Sequence, residues 1–155
     1  MLCAFRPQIV FHLAAQSLVL EGYAQPVRTF STNVLGTVHL LESVRSCADV
    51  KSVVNVTTDK VYKNDGTAHL FSESDALGGT DPYSGSKACS EIVTESYRAA
   101  YLEEKGIALS SVRAGNVIGG GDRAADRILP DCVRAAERGE KAVLRNPHAV
   151  RPYQH

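Results

Sequence analysis

Apolar positions change their period several times along the chain, and each change predicts an element. Gln8-Ile9-Val10-Phe11-His12-Leu13 is a short apolar run that gives way to Ala14-Ala15-Gln16, the pattern of a strand buried on both faces. From Pro26 to Arg45, Val27, Phe30, Val34, Val38, Leu41 and Val44 recur every three or four positions, which predicts a helix. Lys51 to Val56, with its three valines, predicts a second strand ending in the polar cluster Thr57-Thr58-Asp59-Lys60. Tyr62 to Thr80 is rich in Asn, Asp, Ser and Gly and keeps no period, so it is expected to be a long loop.

Asp81 is a good N-cap, and Pro82 after it suits a first helical position because its missing N–H has no intrahelical partner there. The helix that follows is expected to run to Glu104 or Lys105 and to stop at Gly106. Ile107 to Ala114 predicts a third strand, and Gly115 to Gly121 a glycine-rich turn. Asp126 is expected to cap a helix reaching about Arg138, with Pro130 tolerated in its first turn, and Ala142 to Leu144 to form a short strand. Strand, helix, strand, helix, strand in close succession predicts right-handed crossovers and a mainly parallel α/β sheet. Ligands of such sheets bind outside the carboxyl ends of the strands. That rule brings Ala14 to Gln16, Thr57 to Lys60, Tyr83 with Lys87, and Gly115-Asn116 to one edge.

Composition adds limits. The 155 residues are 44% hydrophobic and 22% charged, with 17 basic and 17 acidic residues interspersed, so no nucleic-acid surface and no membrane surface is indicated. No apolar run approaches the roughly 20 residues of a membrane span, and the amino terminus is too short in apolar length for a signal peptide. Cys3, Cys47, Cys89 and Cys132 stand alone without metal-ligand spacing, which reads as reduced packing cysteines of a cytoplasmic protein with no metal site.

The residues with chemistry to offer begin with Tyr83 and Lys87. One helical turn apart, an ammonium beside a phenol favours the phenolate over its ordinary value near 10 and makes a proton-transfer pair. The same spacing also occurs in ordinary amphipathic helices. What separates the two readings is the polar strand end, Thr57-Thr58-Asp59-Lys60, expected at the same edge.

These stretches resemble the extended short-chain dehydrogenase/reductases that modify nucleotide sugars. The resemblance rests on Phe11 to Gln16, Thr32-Asn33-Val34-Leu35-Gly36-Thr37, Asn55 to Tyr62, Asp81 to Lys87, Arg113 to Asp122 and Arg145-Asn146-Pro147-His148, and so covers nearly the whole chain. Asp59-Lys60 points within the family to the CDP-linked 4,6-dehydratase branch, with a 4-epimerase and an inactive or partner-binding remnant as alternatives. The resemblance implies a partial Rossmann-type doubly wound sheet with helices on both faces. Residues 1-115 would form the later part of the NAD-binding domain and 116-155 the start of the substrate region.

It also implies roles. Tyr83, held as phenolate by Lys87, would take the proton of the sugar 4-hydroxyl while NAD receives the hydride, and Thr58 would hydrogen-bond that hydroxyl. Asp59 would be the acid that releases water and Lys60 the base at C5, each shifted by desolvation to its neutral form. Ala14, Ala15, Gln16, Asn33 and Thr57 would hold the cofactor with Tyr83 and Lys87, and Asn116, Arg127 and Arg151 the nucleotide-sugar substrate. Each has a plainer reading: Asn33 as a solvated position, Thr58 as a strand cap, Asp59 with Lys60 as a surface ion pair, Arg127 and Arg151 as surface arginines, His12 as a packed core histidine, Gly119 to Gly121 as turn geometry. The family's first strand, glycine-rich turn and ribose-binding acid are not in this sequence, and Arg151 to His155 stops inside a family motif. The expectation is therefore a fragment of a homodimeric enzyme, with an exposed apolar sheet edge, low stability in isolation and little NAD affinity of its own.

Overall fold

Three parallel strands carry the first part of the molecule, which is a computed structural model describing residues 2–155 apart from the side chain of Cys3. The chain divides into two units, Met1–Ala114 and Gly115–His155. In the first, α1 (Leu2–Phe5) precedes β1 (Ile9–His12); α2 (Val19–Ala24), α3 (Pro26–Phe30), a π turn (Ser31–Leu35) and α4 (Gly36–Arg45) lead to β2 (Ser52–Thr58). A 3-10 turn (Asp59–Val61), a long irregular segment, α5 (Pro82–Tyr97) and a second π turn (Arg98–Leu102) then lead to β3 (Ala108–Ala114). The strands lie in the order β1-β2-β3, with Val10 beside Val53 and Val53 beside Leu109.

Both crossovers arise from the expected helices. Pro26 opens α3 at its first position, and Asp81 caps α5 by accepting from Ser84 N at 3.0 Å. Gly106, at φ 67, ends the second crossover in the left-handed conformation that other residues avoid. The residues from 62 to 80 form no helix and only one isolated bridge, Tyr62 with Leu77, as the lack of period predicts. β2 runs two residues beyond its expected end, so Thr57 and Thr58 belong to the strand and only Asp59 and Lys60 lie in the turn.

Packing divides the sheet along its length. At the amino ends, Val53 and Leu109 meet Leu41, Val44, Cys47, Val50, Leu102 and Ile107 in the apolar core. Toward the carboxyl ends the same sheet face carries Asn55 and Thr57, which meet the polar stripe Ser90, Glu91 and Thr94 of α5. The other sheet face is open at β1: Ile9 and Phe11 are 59% and 64% exposed. The expectation of a first strand buried on both faces is corrected here, because β1 is an edge strand and alternates between exposed and half-buried positions.

In the second unit, β4 (Asn116–Val117) pairs in parallel with β5 (Tyr153–Gln154), and α6 spans Ile128–Glu137. Asp126 does not cap α6. It adopts φ 64 and its carboxylate pairs with Arg145 at 2.6 Å, while Arg127 occupies the cap position. Ala142 to Leu144 is not a strand, since no neighbouring strand pairs with it. Among the cysteines expected to be reduced, Cys89 and Cys132 are free, Cys47 is disulfide-bonded, and the Cys3 side chain lies outside the described residues. No helix among the described residues is long and apolar enough to cross a membrane.

Candidate active site

The carboxyl end of β2 and the first turns of α5 meet through main-chain and side-chain bonds. Lys87, 4% exposed, donates from Nζ to the carbonyl of Val56 at 2.9 Å. One residue on, the Thr57 hydroxyl donates to Glu91 Oε1 at 2.5 Å. Because Lys87 and Glu91 are one turn apart on α5, the helix grips two successive residues of the strand just before Thr58. Tyr83, one turn earlier on the same face, is buried with them.

Burial is the larger influence on Lys87 and lowers its pKa, while the Glu91 carboxylate opposes that shift. Lys87 spends one of its ammonium protons on Val56 and has others for a hydroxyl or a phenolate. Thr58 is buried; its hydroxyl donates to Asp59 Oδ1 at 3.2 Å and accepts from Lys60 N at 3.4 Å. Asp59 and Lys60 are joined directly, Nζ to Oδ1 at 3.1 Å, and each side chain is about a third exposed. The two are thus an ion pair at the site's open side rather than two desolvated groups.

A second layer fixes the strip after β1. Asn33, 2% exposed, accepts from Gln16 N at 2.8 Å and donates to Gln16 O at 3.0 Å and to Ser86 Oγ at 2.8 Å. Ser86 in turn donates to the carbonyl of Tyr83 at 2.7 Å. The reading of Asn33 as a solvated position is therefore corrected: one side chain ties the main chain at Gln16 to the turn that carries Tyr83. The Gln16 side chain is itself occupied, donating to Thr29 Oγ1 and to Leu18 O and accepting from Leu18 N. Ala14 is exposed and Ala15 half-buried, so this strip offers main chain and small side chains. Thr57 has no hydroxyl to spare for a cofactor, since Glu91 and the carbonyl of Val112 take it.

Below this layer a buried chain of hydroxyls and amides continues. Thr37 donates to Asn33 O at 2.7 Å and meets Ser90 Oγ at 2.8 Å; Asn55 Nδ2 donates to Ser90 and Thr94. His12 Nε2 lies 3.3 Å from Thr37 Oγ1. With the Thr37 proton committed to Asn33, the ring nitrogen must be the donor, which assigns the Nε2–H tautomer. Burial first, and then the Lys87 cation, lower the His12 pKa. Asn55 Oδ1 is buried without a partner.

Asn116 begins β4, its N–H bonded to Pro152 O at 3.0 Å. Arg127 pairs with Asp122 at 2.9 Å, and Arg151 is exposed. Sequence reasoning did not single out Glu91 and Arg113, which form the most buried ion pair among those described: Nη2 to Oε2 is 2.6 Å, with side-chain exposures of 17% and 5%. The spacing of Tyr83, Lys87 and Glu91, four by four, was the available signal. Among the described residues no group of acidic, cysteine and histidine side chains is placed to hold a metal ion.

The chain matches the family model described as GDP-mannose 4,6 dehydratase over residues 1–155. It is 50% identical over 156 residues to the CDP-glucose 4,6-dehydratase of Salmonella typhimurium, covering 97% of this chain and 44% of that protein. Among solved structures, a dTDP-glucose 4,6-dehydratase double mutant from Streptomyces venezuelae with NAD bound superposes with a TM-score of 0.81 at 28% identity, over 94% of this chain and 44% of the other. The UDP-glucose 4-epimerase of Thermotoga maritima, solved with UDP-glucose, gives a TM-score of 0.81 at 25% identity, over 96% and 48%. The chain spans less than half the length of each of these relatives.

Proposed function

Because the chain belongs to the GDP-mannose 4,6 dehydratase family, we propose that it carries the acid–base centre of a sugar-nucleotide 4,6-dehydratase acting on CDP-glucose. The observation that carries this reading is the joining of Tyr83, Lys87 and Thr58-Asp59-Lys60 at one strand end, by the Lys87 bond to Val56 and the Glu91 bond to Thr57. An ammonium with protons to spare, a buried phenol one helical turn from it and a strip of small residues after β1 fit a nicotinamide nucleotide. Main chain at Ala14 and Ala15 would hold it together with Tyr83 and Lys87, while Gln16, both of whose main-chain groups Asn33 occupies, would anchor that strip. Thr57 would take part through its main chain only. Bound NAD supplies the hydride acceptor for C4 and the donor for C6.

The chain's own groups move the protons. Tyr83 as phenolate takes the proton of the 4-hydroxyl, and Lys87 stabilises the phenolate charge. Thr58 turns its hydroxyl from Asp59 to the substrate oxygen. The 4-keto group then acidifies C5–H. Asp59 and Lys60 need one proton transfer across their 3.1 Å contact to become a carboxylic acid and a neutral amine. Substrate that excludes water from the pair favours that neutral form. Lys60 removes the C5 proton and Asp59 protonates the departing C6 hydroxyl, so water leaves and a 4-keto-5,6-ene remains; Lys60 then gives its proton back to C5 as C6 would take back the hydride removed from C4, which leaves the 4-keto-6-deoxy sugar. Asn116, Arg151 and Arg127 are assigned to the substrate side, with Arg127 exchanging Asp122 for phosphate. The enzyme acts as a homodimer in the cytoplasm.

A 4-epimerase is the second reading, favoured by the direct pairing of Asp59 with Lys60, which leaves them idle if they never separate. Mass spectrometry of CDP-glucose incubated with the holoenzyme decides: loss of one water is expected, and C4 inversion without mass change overturns the dehydratase. Tyr83→Phe should abolish oxidation, whereas Lys60→Ala should block elimination more than oxidation.

A further inference from the structure

The Glu91–Arg113 pair touches neither Tyr83 nor the Asp59–Lys60 pair in any bond described above, yet it brackets the latter. On one side Glu91 Oε1 accepts from Thr57, the residue before Thr58. On the other, the Arg113 guanidinium lies 4.6 Å from the ring centre of Tyr62, two residues beyond Lys60. Arg113 reaches further out, donating from Nη1 to the carbonyl of Glu73 at 3.3 Å, and Tyr62 stacks on Phe71 at 4.7 Å. Between the two partners the bonds are bidentate: Nε to both carboxylate oxygens at 3.0 and 3.1 Å, and Nη2 to Oε2.

A buried ion pair of this kind is poor support for stability, because desolvating both charges offsets their attraction and an apolar pair of equal volume often serves as well. What a bidentate pair supplies and an apolar pair does not is fixed orientation. Here the orientation is transmitted to the last residue before the Thr58–Lys60 segment and the first aromatic residue after it. We propose that Glu91 and Arg113 are positioning residues that clamp this segment from both sides and so set where the Asp59 and Lys60 side chains stand for the elimination step. The pair ties α5, β2, β3 and residues 62 to 73 to one point. The clamp holds the segment as a geometric fact of the fold; its consequence for elimination rests on the dehydratase reading.

The test uses Arg113→Lys, which keeps the charge but loses the planar fork, and Thr57→Val, which removes only the hydroxyl link. In the full chain, deuterium exchange at the amides of residues 59–63 should quicken by roughly tenfold in both variants while the amides of α5 keep their protection. In the holoenzyme with CDP-glucose, elimination should slow by about 100-fold and C4 oxidation by less than about threefold, so that reduced nicotinamide accumulates in its near-ultraviolet absorbance. Unchanged exchange at 59–63, or equal slowing of both steps, overturns the proposal. If the unsubstituted holoenzyme releases no water, the dehydratase reading fails, and the exchange measurement still decides whether the clamp exists.

Discussion

Asn33 grips both main-chain groups of Gln16, taking its N–H at 2.8 Å and giving to its carbonyl at 3.0 Å, while its remaining proton goes to Ser86. The strip after β1 and the turn of α5 that carries Tyr83 are therefore held by one amide, with Ser86 passing the link to the Tyr83 carbonyl.

Asn33→Ala should cost about 2–4 kcal/mol, because it strands two part-buried main-chain groups as well as losing three bonds. Asn33→Asp should be no better, since a carboxylate cannot donate to Gln16 O. Urea unfolding followed by circular dichroism measures both; a loss below about 1 kcal/mol would show that the strip is held some other way.

His12 makes stability depend on pH with a definite sign. Burial and the Lys87 cation lower its folded value below the ordinary value of about 6.5, so the unfolded chain binds more protons between the two. Stability should be complete above about 6.5, fall as pH drops through the folded value, and stay at the lower level beneath it. Comparing the pH slopes of the native chain and His12→Gln isolates this contribution from the other histidines. Nitrogen NMR should find the Nε2–H tautomer at neutral pH.

Asn55 donates to Ser90 and Thr94, but both hydroxyls give their own protons elsewhere. Asn55→Val therefore strands no donor and removes the partnerless Oδ1. The melting temperature should change little, within about 1 kcal/mol of stability. Asn55→Asp, which buries a charge, should be destabilising by several times that.

Gly79 lies against the first turn of α5. A Cβ there would stand 2.2 Å from Gly85 N and 2.3 Å from the Ser84 carbonyl carbon, so the backbone must move. Gly79→Ala should cost about 1–3 kcal/mol and disturb the turn that positions Tyr83. Gly119→Ala, which meets nothing, is the control, and equal melting temperatures would refute the expectation.

The parallel sheet, its two crossovers, the Asp81 cap and the Gly106 stop were all legible in the sequence, because each depends on local period or on one residue's backbone preference. The site was legible in part. Tyr83 with Lys87 and the Thr58-Asp59-Lys60 run stand out as motifs, but Glu91 and Arg113 are 22 positions apart, and their pairing exists only once α5 lies beside β3. The interior stripe of α5 hid for a second reason. Ser86, Ser90 and Thr94 are buried, while Ile92 on the same helix is 58% exposed, so the usual inference from polarity to exposure runs backwards along this helix. Asp126 misled because an acidic residue before a helix suggests a cap, whereas here its left-handed backbone and its bond to Arg145 take it out of that position.

The π turn at Ser31–Leu35 has a consequence for how this helix tolerates change in length. Thr29, Asn33, Thr37 and Leu41 are buried at intervals of four, and in a regular α-helix such a row drifts by about 40° at each step. The wider turn takes up that drift in the middle of the row, so the residues that meet Gln16 and those that meet the core share one side. Deleting a single residue between 31 and 35 would restore regular winding and leave the segments on either side in nearly the same phase, because the wide turn had absorbed about one residue's 100°. The helix would survive, better wound than before, with Thr29 and Leu41 still on one side and the disturbance confined to the turn that carries Asn33.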